Sequence, residues 1–288
     1  MVKTLAIAFA KYHGLGNDFL VVLSKDAPQP YGDLAQAICA RNAGVGADGL
    51  LVLSPPKGQK TPARLRFFNS DGSEAEMSGN GIRCAGGYLL AHGLAKSPVR
   101  VATVAGVKTL RLAESAEGKW TFRVAMGRPI LAPRKIPFKG AKGQDPVVGY
   151  SLATHRGHIP VTVTSMGNPH CSIFVGDFAG IDWARLGREI EHNPLFPNRT
   201  NVEFVKVLSR QEIEARFWER GVGMTMSSGT GSCAAVVASI LNRRTARKVR
   251  VRTLAGTLEV AWPARGEITL TGPAERIAEG TFYYRAPL

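Results

Sequence analysis

Ser78-Gly79-Asn80-Gly81 recurs 150 residues downstream as Ser228-Gly229-Thr230-Gly231. The same offset carries Val99-Arg100-Val101-Ala102-Thr103-Val104-Ala105-Gly106 onto Val249-Arg250-Val251-Arg252-Thr253-Leu254-Ala255-Gly256, and Phe68-Asn69 onto Trp218-Glu219. Further upstream, Gly16-Asn17 maps to Gly167-Asn168 at an offset of 151. One shared tetrapeptide is noise, but ordered matches along most of each half describe a duplicated unit. The chain is therefore expected to form two homologous α/β (α+β) domains, 1–126 and 127–275. Residues 276–288 form a tail able to return to the first domain. The turn Met126-Gly127-Arg128-Pro129 marks the boundary, and Pro133–Gln144, rich in Lys and Pro, is expected to be exposed.

Each half repeats one pattern. A Gly-rich polar loop leads into Ser-Gly-x-Gly, and an apolar small-residue segment follows (Ile82–His92, Ser232–Asn242). Neither segment alternates, so both read as helices buried on most sides. The alternating runs after them, with Val99, Val101 and Thr103 matched by Val249, Val251 and Thr253, read as strands. Further strands are expected at Phe19–Leu23, Leu65–Phe68, Val161–Thr164, Ser172–Val175, Glu203–Val205, Glu259–Trp262 and Glu267–Leu270.

Composition narrows the class. With 288 residues, 44% of them hydrophobic, the chain can bury a real core, and disorder is excluded. No apolar run approaches the roughly 20 residues of a membrane span. The short apolar stretch after Lys3 lacks the form of a secretory leader, so a cytoplasmic protein is expected. Cys39, Cys84, Cys171 and Cys233 are widely spaced, and the six His form no ligand motif. Metal and disulfide scaffolds are not indicated, and buried thiols are expected. Lys and Arg exceed Asp and Glu by 37 to 22, a net charge of +15 that favours an anionic partner. The densest run, Arg243–Arg252, has no stacking aromatics and no nucleic-acid module around it. It reads as a helix end, a turn and a strand with a wet arginine face, and neither nucleic acid nor membrane is expected as a partner.

The repeated Gly residues leave backbone bare where a helix begins. First-turn N–H groups there lack intrahelical partners and carry partial positive charge, which suits a carboxylate. Ordinary Ser N-capping explains one copy. Two copies, each preceded by Asn and acidic residues, point to a shared ligand site. Neither is a Walker loop, so a nucleotide is not indicated.

Taken together, Lys11-Tyr12-His13-Gly14-Leu15-Gly16-Asn17-Asp18-Phe19, Gly44-Val45-Gly46-Ala47-Asp48-Gly49, Asn69-Ser70-Asp71-Gly72-Ser73-Glu74-Ala75-Glu76-Met77, Gly167-Asn168-Pro169-His170-Cys171, Asn201-Val202-Glu203 and Glu219-Arg220-Gly221-Val222-Gly223 resemble the diaminopimelate epimerases. The resemblance implies two domains, each a curved mixed sheet around a central helix, with the active site in the interdomain cleft. It implies cofactor-independent conversion of LL- to meso-diaminopimelate by two-base α-proton transfer, in lysine and cell-wall precursor synthesis, and the family admits a homodimer. By the same resemblance, Asn17, Asn69, Asn168 and Asn201 hydrogen-bond the amino acid. Gly79-Asn80 and Gly229-Thr230 offer N–H donors to its carboxylate, while Glu219 and Arg220 line the cleft. His170 and Glu219 help set the protonation of the acid/base pair.

The chain departs from the family at the two reacting positions. Cysteines expected before Gly-Asn-Gly and Gly-Thr-Gly are here Ser78 and Ser228, and Met224 stands where the family usually has Glu. A thiol ionises near pH 8.5, lower at a helix N-terminus, whereas an aliphatic hydroxyl needs an adjacent base. Three readings stay open: a serine pair introduced to trap bound amino acid, a natural pair assisted by His170 and Glu219, or a relative isomerising or dehydrating another amino acid.

Overall fold

A computed structural model describes residues 3–58, 61–141 and 143–286. The chain divides into two units, one of residues 1–124 and 272–288, the other of residues 125–271.

The first unit begins with Lys3–Gly14, which pairs antiparallel with Asn17–Leu23 and with the C-terminal strand Ile268–Ala286. Asn17–Leu23 runs parallel to Gly49–Ser54, and helix α1 (Tyr31–Cys39) lies between them in sequence. Ala63–Asn69 follows antiparallel and is itself parallel to Val99–Thr103, this time across helix α2 (Gly79–Ala91). Antiparallel strands Gly106–Ala116 and Lys119–Gly127 complete the run.

The second unit repeats the plan. Gly157–Ser165 pairs antiparallel with Pro169–Phe174, which runs parallel to Asn201–Ser209 across helix α3 (Trp183–Glu191). Glu212–Glu219 is antiparallel to Asn201–Ser209 and parallel to Lys248–Thr253 across helix α4 (Gly229–Leu241). Gly256–Ala261 and the first residues of Ile268–Ala286 follow antiparallel. The duplication is thus one of strand order and strand direction.

The central helices α2 and α4 are rich in small residues because sheet packs closely round them. A Cβ on Gly86 would lie 2.8 Å from Leu110 Cδ2, and one on Gly87 3.1 Å from Trp120 Cε3. In α4, Ala234, Ala235, Val236, Val237 and Ala238 are all fully buried. The outer helices are one-sided instead. Leu34 and Ile38 of α1, one turn apart, enter a core with Leu20, Leu50 and Phe68. Leu186 and Ile190 of α3 enter another with Val202, Phe204 and Trp218. Each such side chain contributes about 1.5–3 kcal/mol on burial.

Pro133–Gln144 departs from expectation, because it is not wholly exposed. Pro133–Lys135 forms a 3-10 turn, after which Ile136 and Phe138 are buried in the second unit's core. The basic side chains of the segment do face outward: Arg134, Lys135 and Lys139 are exposed, while Ile136 and Phe138 supply the apolar anchors. Lys142 in that segment, and Pro287 and Leu288 of the tail, lie outside the described residues. In the basic run, α4 ends at Leu241, Arg243 takes a left-handed φ of 58°, and Lys248, Arg250 and Arg252 face solvent. Glu259 and Glu212 pair with them there. No helix among the described residues is long and apolar enough to cross a membrane.

Candidate active site

In the first unit, the hairpin Gly14-Leu15-Gly16-Asn17 turns through two left-handed residues, Leu15 at φ 54° and Gly16 at φ 78°. A left-handed Leu is costly, so the surrounding structure must hold it; Leu15 is in fact buried. The turn sets Asn17 at the head of its strand, where Nδ2 donates to Asp48 Oδ2 at 2.8 Å and Oδ1 accepts from Asn80 Nδ2 at 3.2 Å. Asp18 and Asp48 form a charged cluster with Lys11 and Arg41. Burial raises the Asp18 pKa, but the Lys11 hydrogen bond, the Asp48 N–H and the charges of Lys11 and Arg41 more than offset it, leaving it lowered.

Ser78 caps α2 in extended backbone, and its Oγ accepts the Gly81 N–H at 3.0 Å. Sheet register places Asn69 opposite Gly49 and Gly49 beside Phe19, so Asn69 lies at the same end of the sheet as Asn17. Its amide stays within its own turn, donating to Ser73 Oγ at 2.9 Å. The first unit therefore joins Asn17 and Asn80 by a direct bond, with Ser78 and Gly79 next in the chain.

In the second unit, Ser228 caps α4 in the same way: Oγ accepts the Gly231 N–H at 3.2 Å, and the Ser228 carbonyl accepts Ser232 Oγ at 2.6 Å. Here a carboxylate joins in. Glu219, at the end of its strand, accepts Thr225 Oγ1 at 2.9 Å and has the Ser228 hydroxyl close enough to favour its charged form. Burial raises the Glu219 pKa above the ordinary carboxylate range; those two hydroxyls and the nearby His170 work against the shift, and the charge of Glu203 reinforces it.

His170 is fully buried with both ring nitrogens engaged, Nδ1 with Glu203 Oε1 at 2.6 Å and Nε2 with Asn168 Oδ1 at 3.0 Å. Ser172 donates to the other oxygen of Glu203 at 3.0 Å. Asn201 is used to build the loop: Nδ2 donates to Pro169 O, and Oδ1 accepts the Arg220 N–H, both at 2.9 Å. Arg220 is exposed, with Nη1 on Asn198 O. Thr230 follows Gly229 in the first turn of α4. Met224 and Met226 are exposed on the segment leading to Ser228.

Four further residues hold these groups, of which Asp48 and Glu203 stand in the motifs quoted above and Arg83 and Glu191 do not. Arg83 and Asp48 terminate the Asn80–Asn17 chain. Glu203 fixes His170, and Glu191 takes both Trp218 Nε1 at 2.7 Å and Gly221 N at 2.9 Å, tying down the strand and loop on either side of Glu219 and Arg220. Glu203 had a signal: it lies two residues past Asn201 and so shares its strand face. Among the described residues, no cluster of three His, Cys, Asp or Glu is arranged to hold a metal ion. All four cysteines are buried, and burial pushes the Cys39 and Cys84 thiols up to about 12.

Solved structures share the fold at low sequence identity. A hydroxyproline epimerase from Agrobacterium vitis, with bound trans-4-hydroxy-L-proline, superposes with a TM-score of 0.70 at 16% identity, covering 100% of this chain and 95% of that one. A methylitaconate-delta-isomerase gives 0.65 at 15% identity, covering 98% and 96%. Sequence similarity is closer. The diaminopimelate epimerase family model matches residues 9–132 and 162–277, one stretch in each half. A diaminopimelate epimerase of Pelotomaculum thermopropionicum is 46% identical over 281 residues, 96% of this chain and 99% of the relative. One from Synechocystis is 42% identical over 280 residues, 96% and 99% of the two chains. The chain belongs to the diaminopimelate epimerase family.

Proposed function

We propose that the protein is a cofactor-independent isomerase that interconverts LL- and meso-2,6-diaminopimelate in the cytoplasm, each unit supplying one proton-transfer position, Ser78 and Ser228. The observation that carries this reading is the Glu219 carboxylate beside the Ser228 hydroxyl, held there by Thr225 Oγ1 at 2.9 Å. A lone hydroxyl is a poor base, but one beside a carboxylate can pass a proton on to it. A raised pKa brings that carboxylate nearer the working pH, where general acid–base transfer is most efficient.

The chemistry follows. The Ser228 oxygen takes the α-proton as its own proton moves to Glu219, and the C–H electron pair flows into the substrate carboxylate. First-turn N–H groups at Gly79-Asn80 and Gly229-Thr230 are donors suited to the charge that develops there. Ser78 gives its hydroxyl proton to the opposite face of the carbon and regains one from water as Glu219 releases its own to solvent; in the reverse reaction these transfers run backward. Asn17, Asn69, Asn168, Asn201 and Arg220 orient the amino acid. Chromatographic separation of stereoisomers after incubation with LL-diaminopimelate tests this directly: meso product is expected, and bound but unconverted LL isomer contradicts it.

A second reading, a binding protein that turns nothing over, draws on Ser78. Among the described residues its hydroxyl is bonded by the Gly81 N–H, and no carboxylate is hydrogen-bonded to it. The same incubation separates the two readings.

A further inference from the structure

Arg83 takes no part in the chemistry above, yet it is a fully buried arginine one turn into α2. Its side chain runs back toward the helix start, as helical side chains do. The guanidinium bonds three carbonyl oxygens: Nη1 to Gly79 O at 2.9 Å, Nε to Pro273 O at 2.9 Å and Nη2 to Asn80 Oδ1 at 2.7 Å. From Asn80 the bonding continues to Asn17 Oδ1 and from Asn17 to Asp48 Oδ2. Gly14 makes room for the crossing, since a Cβ there would lie 3.1 Å from Arg83 Nη2 and 3.2 Å from Asn80 Cβ.

An arginine can only donate, and a carboxylate can only accept. Two amides strung between them have one consistent direction: each turns its oxygen toward Arg83 and its NH2 toward Asp48. Flipping either would set an NH2 against the guanidinium or a carbonyl against the carboxylate. Asp48 is held as that acceptor by Arg41 at 2.7 Å and the Asp18 N–H at 3.1 Å. The second unit has no counterpart, because the position 150 residues after Arg83 is Cys233.

We propose that Arg83 is a positioning residue for the isomerase: by polarising the Asn80–Asn17 chain and gripping the Gly79 carbonyl, it fixes which amide atoms the first unit turns toward the amino acid. The inference rests on the reading of these residues as substrate-binding. It is tested with Arg83→Lys, Arg83→Gln and Asp48→Asn, through the side-chain amide NMR signals of Asn17 and Asn80 in the ligand-free 15N-labelled protein and through calorimetric affinity for LL-diaminopimelate. Lys is still a pure donor, so R83K is expected to keep one amide signal set and its affinity, even as stability drops with the lost Gly79 and Pro273 bonds. R83Q and D48N remove the direction at either end. Doubled or exchange-broadened amide signals and about tenfold weaker binding are expected. The Asp48 side chain is 39% exposed, so D48N decides the matter if R83Q does not fold. Unchanged single signals in D48N, or a stability loss with affinity intact in R83Q or D48N, overturn the proposal. If the wild-type protein binds no diaminopimelate, the functional reading fails while the ligand-free amide signals still judge Arg83.

Discussion

At the start of α2, Ser78 sits at φ −127° and ψ 126° and accepts Gly81 N–H; at the start of α4, Ser228 sits at φ −133° and ψ 127° and accepts Gly231 N–H. The two backbones are copies to within a few degrees, but their surroundings carry opposite charge. Behind the first helix start lies the buried guanidinium of Arg83, bonded to the Gly79 carbonyl. Beside the second lies Glu219, with Glu203 and His170 behind it. Duplication has kept the geometry that presents N–H donors and a hydroxyl, while the flanking strands have diverged in electrostatics. A cation favours negative charge near Ser78, and a carboxylate offers Ser228 a proton acceptor. The halves are alike in the turn geometry proposed to bind the carboxylate and unlike in the charged groups beside it.

The largest effect is expected from restoring thiols at both positions. S78C/S228C should raise turnover by orders of magnitude, because a thiol near pKa 8.5 ionises far more readily than a hydroxyl; steady-state kinetics read the gain, and no gain breaks the comparison with the family. Next, Glu219→Gln should cost about 10²–10⁴ in turnover, the usual worth of a general base. Asp48→Asn, which touches only the first unit, should act mainly on KM. Equal losses of turnover from both would erase the asymmetry.

The pH profile sharpens the same point. Glu219 has a raised pKa, so the acid limb of kcat should lie above the ordinary carboxylate value of about 4.5 and disappear in Glu219→Gln. The stability sign is fixed too. A carboxylate with a raised folded-state pKa favours folding fully below its unfolded pKa, and that contribution is lost as pH rises through the folded value. Denaturant titration at neutral pH should therefore find Glu219→Gln at least as stable as the parent. The smallest effects belong to the shared geometry: Ser78→Ala and Ser228→Ala should each cost about 1 kcal/mol of stability through the lost cap. A far larger loss at one site would mean that the two caps are not equivalent.

The duplication was legible because its markers are local. Ser-Gly-x-Gly and the small-residue helices after it are contiguous runs whose composition is set by close packing. Helices α1 and α3 escaped because each is only nine residues long; α1 has no side-chain cap, whereas Asp182, which accepts Arg185 N–H, caps α3. Ile136 and Phe138 were hidden in a Lys- and Pro-rich segment where two apolar side chains suffice to anchor an irregular chain. In the site, residue identities were readable but partners were not. Arg83 meets Pro273 across 190 residues of sequence, and Glu203 meets His170 across two strands whose parallel register no spacing rule supplies.

The central claim, proton transfer at one α-carbon by two serines from different units, is tested most directly in deuterated buffer with LL-diaminopimelate, following the α-positions by NMR. The account predicts that meso product forms with deuterium at the inverted carbon while recovered LL isomer keeps its proton there. Saturable binding with no deuterium entering either isomer would contradict it.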